Sequence, residues 1–121
     1  MLINGREVHF KRTVKANCDI ADMCKDQNIN NIESLFEGSY QASQRTSAKF
    51  MAVLSEGYEL SRVYQDPGYK PHPLTVDEAM NMGDEEFTEA FKEAIQAYAG
   101  EKPTVETQPA KGKKKAEKPS N

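Results

Sequence analysis

Two histidines, His9 and His72, and two cysteines, Cys18 and Cys24, are the residues of this 121-residue chain best suited to nucleophilic, acid–base or metal chemistry, and their spacing supports none of it. A nucleophilic hydrolase needs a nucleophile, a base and an orienting group, usually with a sharp turn that exposes the nucleophile. Neither Gly38-Ser39 nor Ser55-Glu56-Gly57 forms such an elbow. His9 falls in a predicted strand and His72 in a proline loop, neither with a local partner pattern. The cysteines stand six positions apart on a predicted helix, roughly 9 Å along its axis and on different faces. That suits neither a close disulfide nor a metal pair, so both are read as reduced, partly buried thiols. The glycines are scattered, with no phosphate-cradling loop. Asp84-Glu85-Glu86 lacks the alternating oxygen ligands of a calcium loop and instead opens a helix, where negative charge offsets the dipole. No catalytic, cofactor-binding or metal residue is assigned, and the chain is read as non-enzymatic.

What the sequence offers instead is apolar surface on helices. Asn4-Gly5, between Leu2-Ile3 and the alternating run Arg6 to Lys11, predicts a type I′ hairpin with Ile3, Val8 and Phe10 facing a common core. Asn17 is read as the cap of a short helix carrying Ile20, Ala21, Met23 and Cys24, and Asn31 as the cap of a segment carrying Ile32, Leu35 and Phe36. The longest helix is predicted over Ser39 to Tyr64, with an apolar line of Phe50, Val53, Leu54, Gly57, Leu60, Ser61 and Tyr64. Gly57 is expensive inside a helix and implies either a close backbone neighbour or a kink. Asp66 to Pro73 reads as a rigid loop, and Thr75 with Glu78 as a capping box for a short helix. A last helix from Asp84 carries Phe87, Phe91, Ala94, Ile95 and Tyr98 opposite an acidic face and ends at Gly100. The fold class is therefore mostly α (α+β), an N-terminal β-hairpin packed on a small helical domain with one long central helix.

Charge divides the chain into a domain over 1–99 and a tail over 100–121. The body holds ten basic and sixteen acidic residues, the tail six lysines and three glutamates. With no aromatic, three prolines and Val105 as its one large aliphatic residue, the tail is predicted to be disordered. An acidic body suits a phosphate backbone poorly, so nucleic acid is disfavoured as a partner. The longest apolar run is Met51-Ala52-Val53-Leu54, too short for a membrane span, and Met1 to Arg6 does not open like a secretory signal. A cytoplasmic location follows as the expectation.

Several of these segments together resemble the tail assembly chaperones of long-tailed bacteriophages (siphoviruses) and of prophages in Gram-positive bacteria. They are Ile3-Asn4-Gly5-Arg6, Phe10 to Val14, a short helix with Ile20-Ala21 and Cys24, Leu54-Ser55-Glu56-Gly57-Tyr58-Glu59, Pro73 to Glu78 and an acidic final helix. The resemblance covers roughly Leu2 to Ala99 and rests on patterns of helix and loop rather than on invariant chemistry. It implies a small cytoplasmic helical protein that binds the tape measure protein, keeps it soluble while the tail tube assembles, and is left out of the mature virion. It further implies a programmed frameshift, for which the lysine codons of Gly112-Lys113-Lys114-Lys115 are the candidate site. The longer product would recruit the tail tube protein, and this chain would be the short, unshifted form. A homo-oligomer such as stacked rings suits a protein that coats an extended client.

The partner surface expected from the residues is Met51 and Tyr58, left exposed on the long helix, with Phe87 and Phe91 on the last. Two alternative functions come from other classes. One is a small nucleic-acid-associated regulatory protein using the basic tail; the other is a structural head-tail connector subunit.

Overall fold

The computed structural model describes residues 1–100. From residue 101 onward the segment predicted to be disordered, lysine cluster included, lies outside the described residues. The chain is mostly helical, with one small antiparallel sheet at its N-terminus. Strands β1 (Leu2–Ile3) and β2 (Arg6–Glu7) pair in the register Ile3 to Arg6 and Leu2 to Glu7. The turn between them places both Asn4 (φ 52°) and Gly5 (φ 83°) in the left-handed region, as a type I′ turn requires. Ile3 and Val8 are buried and Phe10 packs on the core beside them. The regular strand ends at Glu7, earlier than the alternation suggests, and the chain runs on extended to Thr13.

Helix α1 (Val14–Met23) is capped by Thr13, whose Oγ1 accepts from the Ala16 N–H. Asn17, read as the cap, sits inside the helix, where its Oδ1 accepts from Arg12 Nε at 2.7 Å. The next segment, Ile29–Phe36, is 3-10 rather than α. Asn28 caps it, its Oδ1 accepting from the Asn30 N–H, while Asn31 marks a kink within it.

Helix α2 (Tyr40–Gln65) is capped by Ser39 and runs 26 residues through the centre of the fold. It touches α1 and the 3-10 segment, together with α3 (Val76–Met80) and α4 (Asp84–Ala99). Its buried side consists of Ser47, Ala48, Phe50, Met51, Leu54, Ser55, Gly57 and Glu59. Relative to the predicted line this face takes in Met51 and Ser55, while Leu60 and Ser61 are half-buried and Tyr64 is exposed. Gly57 marks a close approach: a Cβ there would overlap the backbone carbonyl oxygen of Lys11. The extended strap bonds to the helix at the same place, Lys11 N–H donating to the Leu54 carbonyl at 3.0 Å.

The proline loop after α2 is held from two sides. Ser55 Oγ accepts from the Leu74 N–H at 2.8 Å, and one oxygen of the buried Glu59 carboxylate accepts from the Tyr69 hydroxyl at 2.6 Å and the His72 N–H at 2.9 Å. From the hairpin, Arg6 forms a two-point pair with Glu78 and donates to the carbonyls of His72 and Pro73. Thr75 caps α3 as predicted, accepting from the Glu78 N–H, but Glu78 turns to Arg6 instead of completing the capping box. In α4, Ala90 and Ala94 are buried, Phe87, Phe91 and Tyr98 are partly buried, and Ile95 points outward; Gly100 closes it at φ 79°.

Candidate functional site

The four residues expected to form a partner surface do not come together. Met51 is 0% exposed and belongs to the core, which corrects the expectation that it is presented. It follows Phe50 on the buried side of α2, a helix packed on several sides by other elements, so the local pattern around it could not reveal its burial. Phe91 is half-buried, and its ring meets Phe36 edge-on at 5.3 Å and lies 6.0 Å from Phe50, which commits it to packing. Tyr58 is half-buried beneath His9, with ring centroids 4.7 Å apart, and accepts a hydrogen bond from Arg62 on its hydroxyl. Phe87 lines an open groove.

That groove, of about 290 Å³, lies where the start of α2 meets the end of α3 and the start of α4. Tyr40, Gln41, Gln44 and Arg45 form one wall, Asp84, Phe87 and Thr88 the other, and Met80 and Met82 lie between them. Tyr40 is 69% exposed and Met80 41%. Sequence reasoning missed Tyr40, Met80 and Met82 because each falls at the edge of an element, where no periodicity marks it. Their grouping is a product of tertiary packing.

A second groove, of about 250 Å³, runs between α1 and α2. Val53, Gly57, Leu60, Ser61 and Tyr64 line it together with Thr13 and Ala16. This is the C-terminal part of the apolar line predicted on the long helix, and Tyr64 is 90% exposed. Lys15 bridges its rim, donating to Asp19 and to Glu56 at 2.9 Å each.

The titratable groups are arranged for structure. Hydrogen bonding to Arg6 holds the Glu78 carboxyl below its ordinary range. The bond to Glu59, aided by burial, pushes the Tyr69 phenol up. Burial raises the Cys24 thiol, which donates to the Ile20 carbonyl, while Cys18 is exposed. Asp84, Glu85 and Glu86 occupy the first turn of α4, as expected. Among the described residues no group of three or more His, Cys, Asp or Glu is placed to hold a metal ion, and no helix is long and apolar enough to cross a membrane. The two grooves differ in chemistry: the one between α1 and α2 is mostly apolar, and the one beside Phe87 mixes Tyr40, Met80, Met82 and Phe87 with Gln41, Gln44, Arg45, Asp84 and Thr88. No protein-family model, curated protein or solved structure matches the chain.

Proposed function

We propose that this protein is a tail assembly chaperone of a long-tailed bacteriophage or prophage, which binds the tape measure protein noncovalently and keeps it soluble while the tail tube forms. The observation that supports this reading best is the fate of the apolar line on α2. Val53, Leu60 and Tyr64 stand at helical spacing and line an open groove, Val53 packing on the core at its base, Leu60 half-buried and Tyr64 exposed. Apolar residues placed periodically on an uncovered helix face suit a helical client. The described body carries ten basic and sixteen acidic residues, a net charge that would keep such a complex in solution. On this reading the protein works in the host cytoplasm and is absent from the finished particle, and a frameshifted longer form engages the tail tube protein.

The test is co-expression with the tape measure protein. The client should move from the insoluble to the soluble fraction and co-purify with this chain in high salt as well as low. A client that stays insoluble overturns the proposal, as does recovery of this chain as a stoichiometric component of purified virions. Genomic position is an independent check, with a tail tube gene expected upstream and a very long tape measure gene downstream.

A further inference from the structure

We propose that the groove between the starts of α2 and α4 is a docking site for an amphipathic helix of another protein, one that inserts one or two large apolar side chains and carries lysine or arginine along one flank. The identity of that protein rests on the chaperone reading; the site and its chemistry do not.

Size comes first. At about 290 Å³ the groove falls just below the range of roughly 300–1,000 Å³ typical of small-molecule sites, and it is partly open to solvent. It accommodates side chains rather than an enclosed ligand. Its apolar contributors, Tyr40, Met80, Met82 and Phe87, combine two aromatic anchors with two flexible thioethers that adapt to the shape of an inserted group.

Backbone chemistry then selects a helix. The walls are the helices α2 and α4 with the end of α3, and β1 and β2 lie outside the lining. An extended segment entering here would find no strand edge to pair with, so its own N–H and C=O groups would lose water without replacement. A helix satisfies those groups internally and can present anchors from one face.

Charge sets the flank. Asp84 belongs to the groove wall, and through Asp84 and Thr88 the surface continues into a shallow depression that adds Glu85 and Glu89. Lys92 offsets Glu89 only weakly, at 3.5 Å with both side chains mostly exposed. Arg45, on the α2 wall, is the single basic residue of the lining. The α4 side is therefore negative and complementary to a basic flank. The same charges disfavour a second copy of this chain as occupant, because a two-fold contact through this patch would set Asp84, Glu85 and Glu89 against their own counterparts.

The experiment uses the full chain and a fluorescent alanine-based peptide of about 20 residues, long enough to be helical, with a leucine stripe flanked by lysines. An otherwise identical peptide flanked by glutamates is the control. The lysine peptide should bind at least about tenfold more tightly than the control. The double variant Tyr40→Glu, Met80→Glu changes exposed residues; it should melt like the parent and lose about tenfold or more in affinity. Replacing Asp84, Glu85 and Glu89 with lysine should reverse the preference. Equal binding of the two peptides, or undiminished binding by the Tyr40/Met80 variant, overturns the proposal. So does self-association that Tyr40→Glu abolishes, or crosslinks from Lys113–Lys115 to Asp84 or Glu85 within one chain that the peptide fails to displace. If the parent binds the lysine peptide but leaves the tape measure protein insoluble, the site stands and the chaperone reading fails. If the Tyr40/Met80 variant still keeps the client soluble, the chaperone reading stands and this groove is not where it acts.

Discussion

Gly57 lies directly beneath the Lys11 backbone carbonyl, so close that a Cβ on Gly57 would overlap its oxygen. Replacing a helical glycine with alanine ordinarily stabilises by about 1 kcal/mol. Here the intruding methyl meets main chain, which is itself pinned by the bond from Lys11 N–H to the Leu54 carbonyl, and Thr13 Oγ1 is only 3.3 Å away. Gly57→Ala is therefore expected to destabilise, by about 1–3 kcal/mol as for other overpacked sites. Thermal melting decides it: a variant that melts above the parent would mean the strap moves freely off the helix.

The Arg6–Glu78 pair fastens the hairpin to α3 across the proline loop. Because Arg6 holds the Glu78 carboxyl below its ordinary value of 4.5, the pair stabilises the fold above that value and its contribution is lost as pH falls through the folded-state value. Glu78→Gln should cost about 1.5–3 kcal/mol near neutral pH, the range for hydrogen bonds to charged groups. Below the carboxylate range the two proteins should converge. Urea unfolding at several pH values measures this, and a difference that stays constant down to strongly acidic pH would contradict the assignment.

Features that depend on a few neighbouring residues were legible in the sequence. Asn4-Gly5 predicts its turn because few pairs tolerate two positive φ angles, and Ser39, Thr75 and Gly100 delimit their helices through local hydrogen bonding and left-handed geometry. Features decided by distant partners were not. Glu78 abandons its capping box for an arginine 72 positions away, and Asn17 yields the cap to Thr13, which lies beyond the alternating run that ends at Lys11. The buried side of α2 follows from where α3 and α4 pack, which no window of its own sequence contains. That misplaced Met51 as surface, left the exposure of Tyr64 on the apolar line unseen, and hid the groups around Tyr40 and Met80.

Those two faces of α2 can be separated by paired truncations. Leu54 is fully buried, and Leu54→Ala should cost about 2–5 kcal/mol. Tyr64, 90% exposed, should tolerate Tyr64→Ala within about 0.5 kcal/mol. Chemical denaturation of both variants is the measurement. Comparable losses at the two positions would show that the groove between α1 and α2 is closed in solution, and the client-facing role proposed for it would go with that result.

The buried Glu59 carboxylate ties the proline loop to α2 through the Tyr69 hydroxyl and the His72 N–H. Arg62 lies over the Tyr69 ring at 4.7 Å, so the phenol is fixed from its face as well as its edge. Tyr69→Phe keeps the ring but removes one of the two donors to that oxygen, and should lower the melting temperature, because a buried acceptor loses a partner. In a double-mutant cycle with Glu59→Gln, the two effects should be non-additive. Titration supplies a second readout. The phenol is raised above its ordinary value of 10, so the bond stabilises the fold below that value and is lost as pH rises through the folded-state value. Difference absorbance between parent and Tyr69→Phe should place this tyrosine above an ordinary phenol on the alkaline side. Additive single-mutant effects together with ionisation at or below the ordinary phenol value would show that the loop is held by its prolines alone.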